Sequence, residues 1–162
     1  MQPIYTQIAS GSASSMVFNN IPNYYTDLQI KISARFSGSF TYSDLIFAFD
    51  SSASIYSSTM SGNYIQRQAN NSYILAGNAT GSTATASTFS NIEIYIPNYS
   101  SANFKSVIVD SVAESNVSTS SCYYNSGLYR STSPISIFSI GTAGGGNIVA
   151  GSTISLYGIT KG

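Results

Sequence analysis

Residues 28–36 alternate strictly: Leu28, Ile30, Ile32, Ala34 and Phe36 are apolar, and Gln29, Lys31, Ser33 and Arg35 between them are polar or charged. A period of two over nine residues predicts a strand with one face in a core and the other in water. The same reading puts Lys31 and Arg35 on the wet face. Ile92, Ile94 and Ile96 alternate with Glu93 and Tyr95 in the same way. Pro97 ends that run, because it has no N–H for the next ladder bond. The runs 45–49, 104–109 and 135–140 are apolar at neighbouring positions, which predicts strands covered on both faces, or covered on the second face at a subunit contact.

Runs of this kind fall near 3–9, 14–19, 27–36, 43–50, 53–57, 62–68, 72–77, 91–97, 103–113, 118–125, 134–141 and 152–160, enough for roughly ten or eleven strands. Between them lie turn formers such as Ser10-Gly11-Ser12, Ile21-Pro22-Asn23, Ser61-Gly62-Asn63, Asn125-Ser126-Gly127 and Gly144-Gly145-Gly146-Asn147. Short strands at regular spacing predict an all-β sandwich or barrel. Helix signals are thin: no segment keeps i, i+3, i+4, i+7 spacing over three turns. Segment 78–90 alternates small apolar and hydroxyl residues, and fits a loop or a weak edge strand. No repeat and no composition break divides the chain. The expectation is one domain over 1–162, a jelly-roll-like antiparallel β-sandwich rather than an immunoglobulin-like one, which closes near 100 residues.

Composition narrows the function classes. Only 7% of the 162 residues are charged, six basic against six acidic, so the formal net charge is zero. An ordinary domain carries about 25%; here 33 serines, 13 threonines and 13 asparagines stand in their place. Zero net charge speaks against nucleic acid, whose binders neutralise phosphates. The absence of histidine removes the commonest general base and metal ligand. A single cysteine, Cys122, permits no intrachain disulfide and no Cys-based zinc site. Apolar runs are far shorter than the roughly 20 residues of a membrane-spanning helix. The first residues, Met1 to Tyr5, show neither the basic region nor the apolar core of a secretion signal. Nucleic acid, membrane, cofactor and metal are therefore not expected.

Catalytic chemistry finds little support. Asp44 and Asp50 flank one strand, and Asp110 and Glu114 stand four apart on another, about 13 Å along a strand. Glycoside hydrolysis wants its carboxylates closer, at about 5–9.5 Å, so only pairing between strands would bring two together. Cys122 has no histidine to activate it and reads as a half-buried small side chain. Gly144-Gly145-Gly146 lacks the Lys-Ser or Lys-Thr of a phosphate loop and reads as a hairpin connection. Asn70, Asn78, Asn98 and Asn116 head Asn-x-Ser/Thr triplets, which this composition produces by chance. No enzyme is expected. The 13 tyrosines are the richer signal. Tyr24, Tyr25, Tyr99, Tyr124 and Tyr129 fall at strand ends or on outward phases, as half-exposed strand formers or as partner-contact residues.

Three stretches have a familiar form: Val17-Phe18-Asn19-Asn20-Ile21-Pro22-Asn23-Tyr24-Tyr25-Thr26-Asp27-Leu28-Gln29-Ile30; Ile94-Tyr95-Ile96-Pro97-Asn98-Tyr99 with Asn103-Phe104-Lys105-Ser106; and Gly127-Leu128-Tyr129-Arg130-Ser131-Thr132, Ile135 and Ile137, closing with 150–159. In this order the chain resembles small jelly-roll structural proteins of tailed bacteriophages, some of them trimeric capsid-decoration (cement) proteins, others head- or tail-fibre domains. Two positions depart from that pattern: Tyr129 stands where a tryptophan precedes the arginine, and Asp50-Ser51-Ser52-Ala53 replaces an Asn/Asp-rich loop. The resemblance implies a virion protein on the capsid surface, a homotrimer bound to the phage major capsid protein. The alternative is a fibre adhesin for host surface glycans. Strand pattern from Ile4 to Thr160 leaves no residues for a fibre shaft, which favours the first.

Overall fold

Twelve strands overlap the expected runs, but two turns are misplaced: Asn125-Ser126-Gly127 lies inside the strand Ser121–Tyr129, and Ser61-Gly62 ends the strand Tyr56–Gly62, against the expected 53–57. The computed structural model describes residues 1–50, 53–116 and 120–160. Its strands are β1 (Gln2–Ile8), β2 (Met16–Phe18), β3 (Asp27–Ala34), β4 (Tyr42–Phe49), β5 (Tyr56–Gly62), β6 (Ile65–Asn71), β7 (Ile74–Thr80), β8 (Ser90–Ile96), β9 (Lys105–Ala113), β10 (Ser121–Tyr129), β11 (Phe138–Thr142) and β12 (Thr153–Ile159). They form an eight-stranded sheet, β1-β12-β3-β8-β9-β10-β5-β6, facing a four-stranded one, β2-β11-β4-β7. All ladder pairings are antiparallel. The hairpins β5–β6 and β9–β10 extend the long sheet. Without them, two four-stranded sheets remain, β1-β12-β3-β8 and β2-β11-β4-β7, and the chain crosses between them at most connections. That winding is the jelly-roll wrap, so the fold expected from the alternation is the fold observed.

The alternation of β3 and β8 does what it predicts. Leu28, Ile30, Ile32, Ile92, Ile94 and Ile96 are buried, joined by Ile154 and Leu156 of β12. Against them the short sheet packs Phe18, Phe47, Phe49 and Phe138, whose ring centroids lie 5.5–6.1 Å apart in successive contacts. Such spacings suit tilted and edge-on aromatic pairs.

Several expectations need correction. Strand β9 is not covered on both faces: it alternates buried and exposed, with Ile108 and Val112 outward. In β4 the second face is only half-buried, and run 135–140 contributes a strand only from Phe138. The strand buried throughout is β7, because β9, β10 and β5 pack against it. Its outward Leu75 meets Met60 and Tyr123, and its edge groups bond to side chains of the long sheet. The hydroxyls of Ser58, Ser111 and Ser90 accept from the N–H groups of Leu75, Asn78 and Thr80 at 3.4, 3.3 and 2.8 Å. Asn125 Nδ2 donates to the Leu75 carbonyl at 3.3 Å. Hydroxyls thus close an edge that a strand would otherwise leave open. Of segment 78–90, residues 81–89 take the loop alternative, while 78–80 end β7 and Ser90 opens β8.

Two cations are inside, one of them, Arg35, against the expectation of a wet face. Arg35 donates to the carbonyls of Ala84, Thr85 and Thr88 at 2.8–3.0 Å, pinning segment 81–89. Lys105, 1% exposed, donates from Nζ to the carbonyls of Ser101, Ser131 and Ser133 at 2.9, 3.0 and 2.6 Å. Burial holds its ammonium below the usual lysine range.

Candidate interaction surface

The five tyrosines separate by side-chain direction. Tyr24 and Tyr124 are exposed, at 70% and 56%. Tyr25, Tyr99 and Tyr129 are buried, so their expected outward placement is corrected. Tyr25 lies over Gly158, where a Cβ would stand 2.3 Å from its ring. Tyr99 donates its hydroxyl to the Pro22 carbonyl, and burial pushes its pKa up to about 12. Tyr129 stacks on Tyr56 with centroids 5.0 Å apart and meets Phe49 at 5.4 Å.

Tyr99, Lys105 and backbone hydrogen bonds tie the three familiar stretches together. Tyr99 reaches Pro22, the Ile135 N–H donates to the Tyr99 carbonyl, and the Ile21 N–H donates to the Ser136 carbonyl. Lys105 spans from 101 to 131 and 133. Asp50 adds a tie from outside the three stretches: its Oδ1 accepts from the N–H groups of Ser136 and Ile137 at 2.8 and 2.9 Å. Ser51 and Ser52 lie outside the described residues. Where tyrosines suggested contact surface, the structure places three of the five in the core.

Charges are committed in the same way. Lys31 pairs with Glu93 at 3.1 Å, and Gln29 donates to the other Glu93 oxygen. Asp27 accepts from the Tyr95 hydroxyl and the Asn98 N–H. Asp44 accepts from Tyr64, and burial raises its carboxyl above the usual range. Glu114 caps its own turn at Ser115 and Asn116. Arg130 holds the carbonyls of Ser54 and Ile55 and the side chain of Asn70. Among the charged side chains of the described residues, only Asp110 and Arg67 have no hydrogen bond or ion pair. Pairing between strands does bring two carboxylates face to face, Glu93 opposite Asp110, but Lys31 and Gln29 already occupy Glu93. No group of three or more Cys, His, Asp or Glu among the described residues could hold a metal ion.

The outer face of β9, β10, β5 and β6 therefore collects what is left over. Ile108, Val112, Tyr124 and Ile65 are exposed there, at 41–61%, together with Asp110 and Arg67. Cys122, expected half-buried, is exposed on the same face opposite Val112. Sequence reasoning named Tyr124 but missed Arg67, whose strand shows almost no apolar alternation. On the short sheet a different feature opens, a groove of about 390 Å³. Ile46, Ala48 and Tyr73 form its apolar part, Ser14, Ser15 and Thr142 its hydroxyl rim, and Gly145 and Gly146 one wall; no charged residue lines it. The glycine run borders this groove and is a loop that crosses from β11 in one sheet to β12 in the other, not the hairpin connection expected.

No protein-family model, curated protein or solved structure matches the chain.

Proposed function

We propose that the chain is a bacteriophage virion structural protein, a capsid decoration (cement) protein that binds the major capsid protein lattice as a homotrimer and stabilises the head. The observation that carries this reading is the order-preserving resemblance of three stretches that the fold gathers into one knot of a jelly roll. The surface supports it. Among the described residues nearly all charged side chains are bonded within the molecule, and the outside presents hydroxyls, amides and single apolar side chains. Such a surface is suited to shape-driven contacts repeated at fixed spacing, where many weak sites act together. A trimer bridging neighbouring capsid subunits adds contacts that internal pressure must break at once.

Addition of the purified protein to capsids that lack it tests the proposal. Saturating co-sedimentation at a fixed ratio to capsid subunits, with a higher capsid disruption temperature, is expected. A monomer that stays in the supernatant overturns it. The neutral, hydroxyl-rimmed groove beside Tyr73 favours a second reading, a head- or tail-fibre adhesin for host surface glycans. Binding to a glycan array without capsid association selects that reading.

A further inference from the structure

We infer that the outer face of β9, β10, β5 and β6 is the contact between copies of this chain, with Arg67 of one copy seated on Asp110 and Tyr124 of the next. The inference rests on the homotrimer reading and assigns its interface.

The first ground is electrostatic. Asp110 stands opposite Glu93 on one side and Tyr124 on the other. Like charges directly opposed across strands are unfavourable, and Lys31 answers only Glu93. One negative charge is left over on β8–β9, so the site calls for a cation. Arg67 is the matching surplus: it is exposed on the edge strand β6, opposite Thr59. The strand order places β10 and β5 between β9 and β6. Three strand spacings are about 14 Å, beyond reach of an ion pair within one chain. The two surpluses are complementary, on one face, and unable to meet except between molecules.

The second ground is the chemistry around them. An arginine that reaches Asp110 arrives beside the exposed ring of Tyr124, its cross-strand neighbour. A guanidinium can bond a carboxylate with its fork and lie on an aromatic face at once. Arg and Tyr are the residues that dominate interface energetics. Ile65 and Ile108 flank the two charges and gain burial in the same contact. Arg67 and Asp110 lie on different strands, so in a threefold ring the arginine of each copy can sit on the aspartate of the next. The two hairpins carrying this face are also the ones added to the eight-stranded jelly roll.

Charge reversal tests it, read by sedimentation equilibrium over a range of protein concentrations and with circular dichroism to confirm folding. Wild type is expected as a trimer. Arg67→Glu and Asp110→Arg should each weaken association by about 30-fold or more, and the double variant Arg67→Glu/Asp110→Arg should restore it. If both single variants stay trimeric at wild-type affinity, or the swap fails to rescue folded single variants, this interface is wrong while the trimer stands. If wild type is a monomer at all concentrations, the trimer reading and this interface fall together.

Discussion

Tyr124 and Tyr129 lie five residues apart on β10 and face opposite ways, one into solvent and one onto Tyr56 and Phe49. Tyrosine fits both environments, since its ring is apolar and its hydroxyl can find a partner when buried. The sequence around each is rich in serine, asparagine and glycine, so nothing local marks the inward side. That is why the contact candidates mixed core with surface. Tyr129→Ala is expected to lower unfolding free energy by about 3–5 kcal/mol, the range for losing a buried aromatic, at every protein concentration. Tyr124→Ala should change it by about 0.5 kcal/mol or less when the protein is too dilute to associate. Denaturant titrations of both variants check the contrast. Asparagine was legible in another sense: Asn70, Asn98 and Asn116 head their triplets with φ of 54°, 49° and 55°. They are turn residues in the left-handed region, which asparagine tolerates better than most.

At the scale of elements, the alternating strands were the most legible part. β3 and β8 follow from residue type alone, and Pro97 marks the end of β8. Less legible was β7, whose Ala76, Gly77 and Asn78 give weak apolar pattern although the whole strand is buried. Its burial depends on β5, β8 and β9, which bring serine hydroxyls to its edge from distant positions, and on β10, which brings the Asn125 amide. Serine read as surface coat because a hydroxyl does not declare its face. The buried Arg35 and Lys105 escaped for the same reason: their partners are backbone carbonyls of turns far along the chain. Gly77 shows how tight the seam is. Its φ is +87°, and a Cβ there would stand 2.1 Å from Ser111 Oγ. Gly77→Ala should therefore cost at least about 1–3 kcal/mol from backbone strain alone and loosen the β7 edge. Hydrogen exchange should show faster loss of protection at the Leu75 and Asn78 amides; unchanged protection would contradict the seam.

For the whole molecule, low charge takes on a specific meaning. It does not leave a featureless exterior. Ion pairs, capped turns and buried cations consume the charges of the described residues until one acid and one base remain on one face. A jelly roll with two added hairpins thus carries, among the described residues, its two unpaired charges on the face that the hairpins build. The fold class and most strands were readable beforehand, whereas this face was not, because it emerges from register across four strands. The claim that the molecule is a capsid decoration protein is tested most directly by cryo-electron microscopy of the intact virion. The account predicts density for the jelly roll in many copies, as trimers at symmetry-related positions on the capsid surface. A few copies confined to a tail or fibre, or no density on the capsid at all, would contradict it.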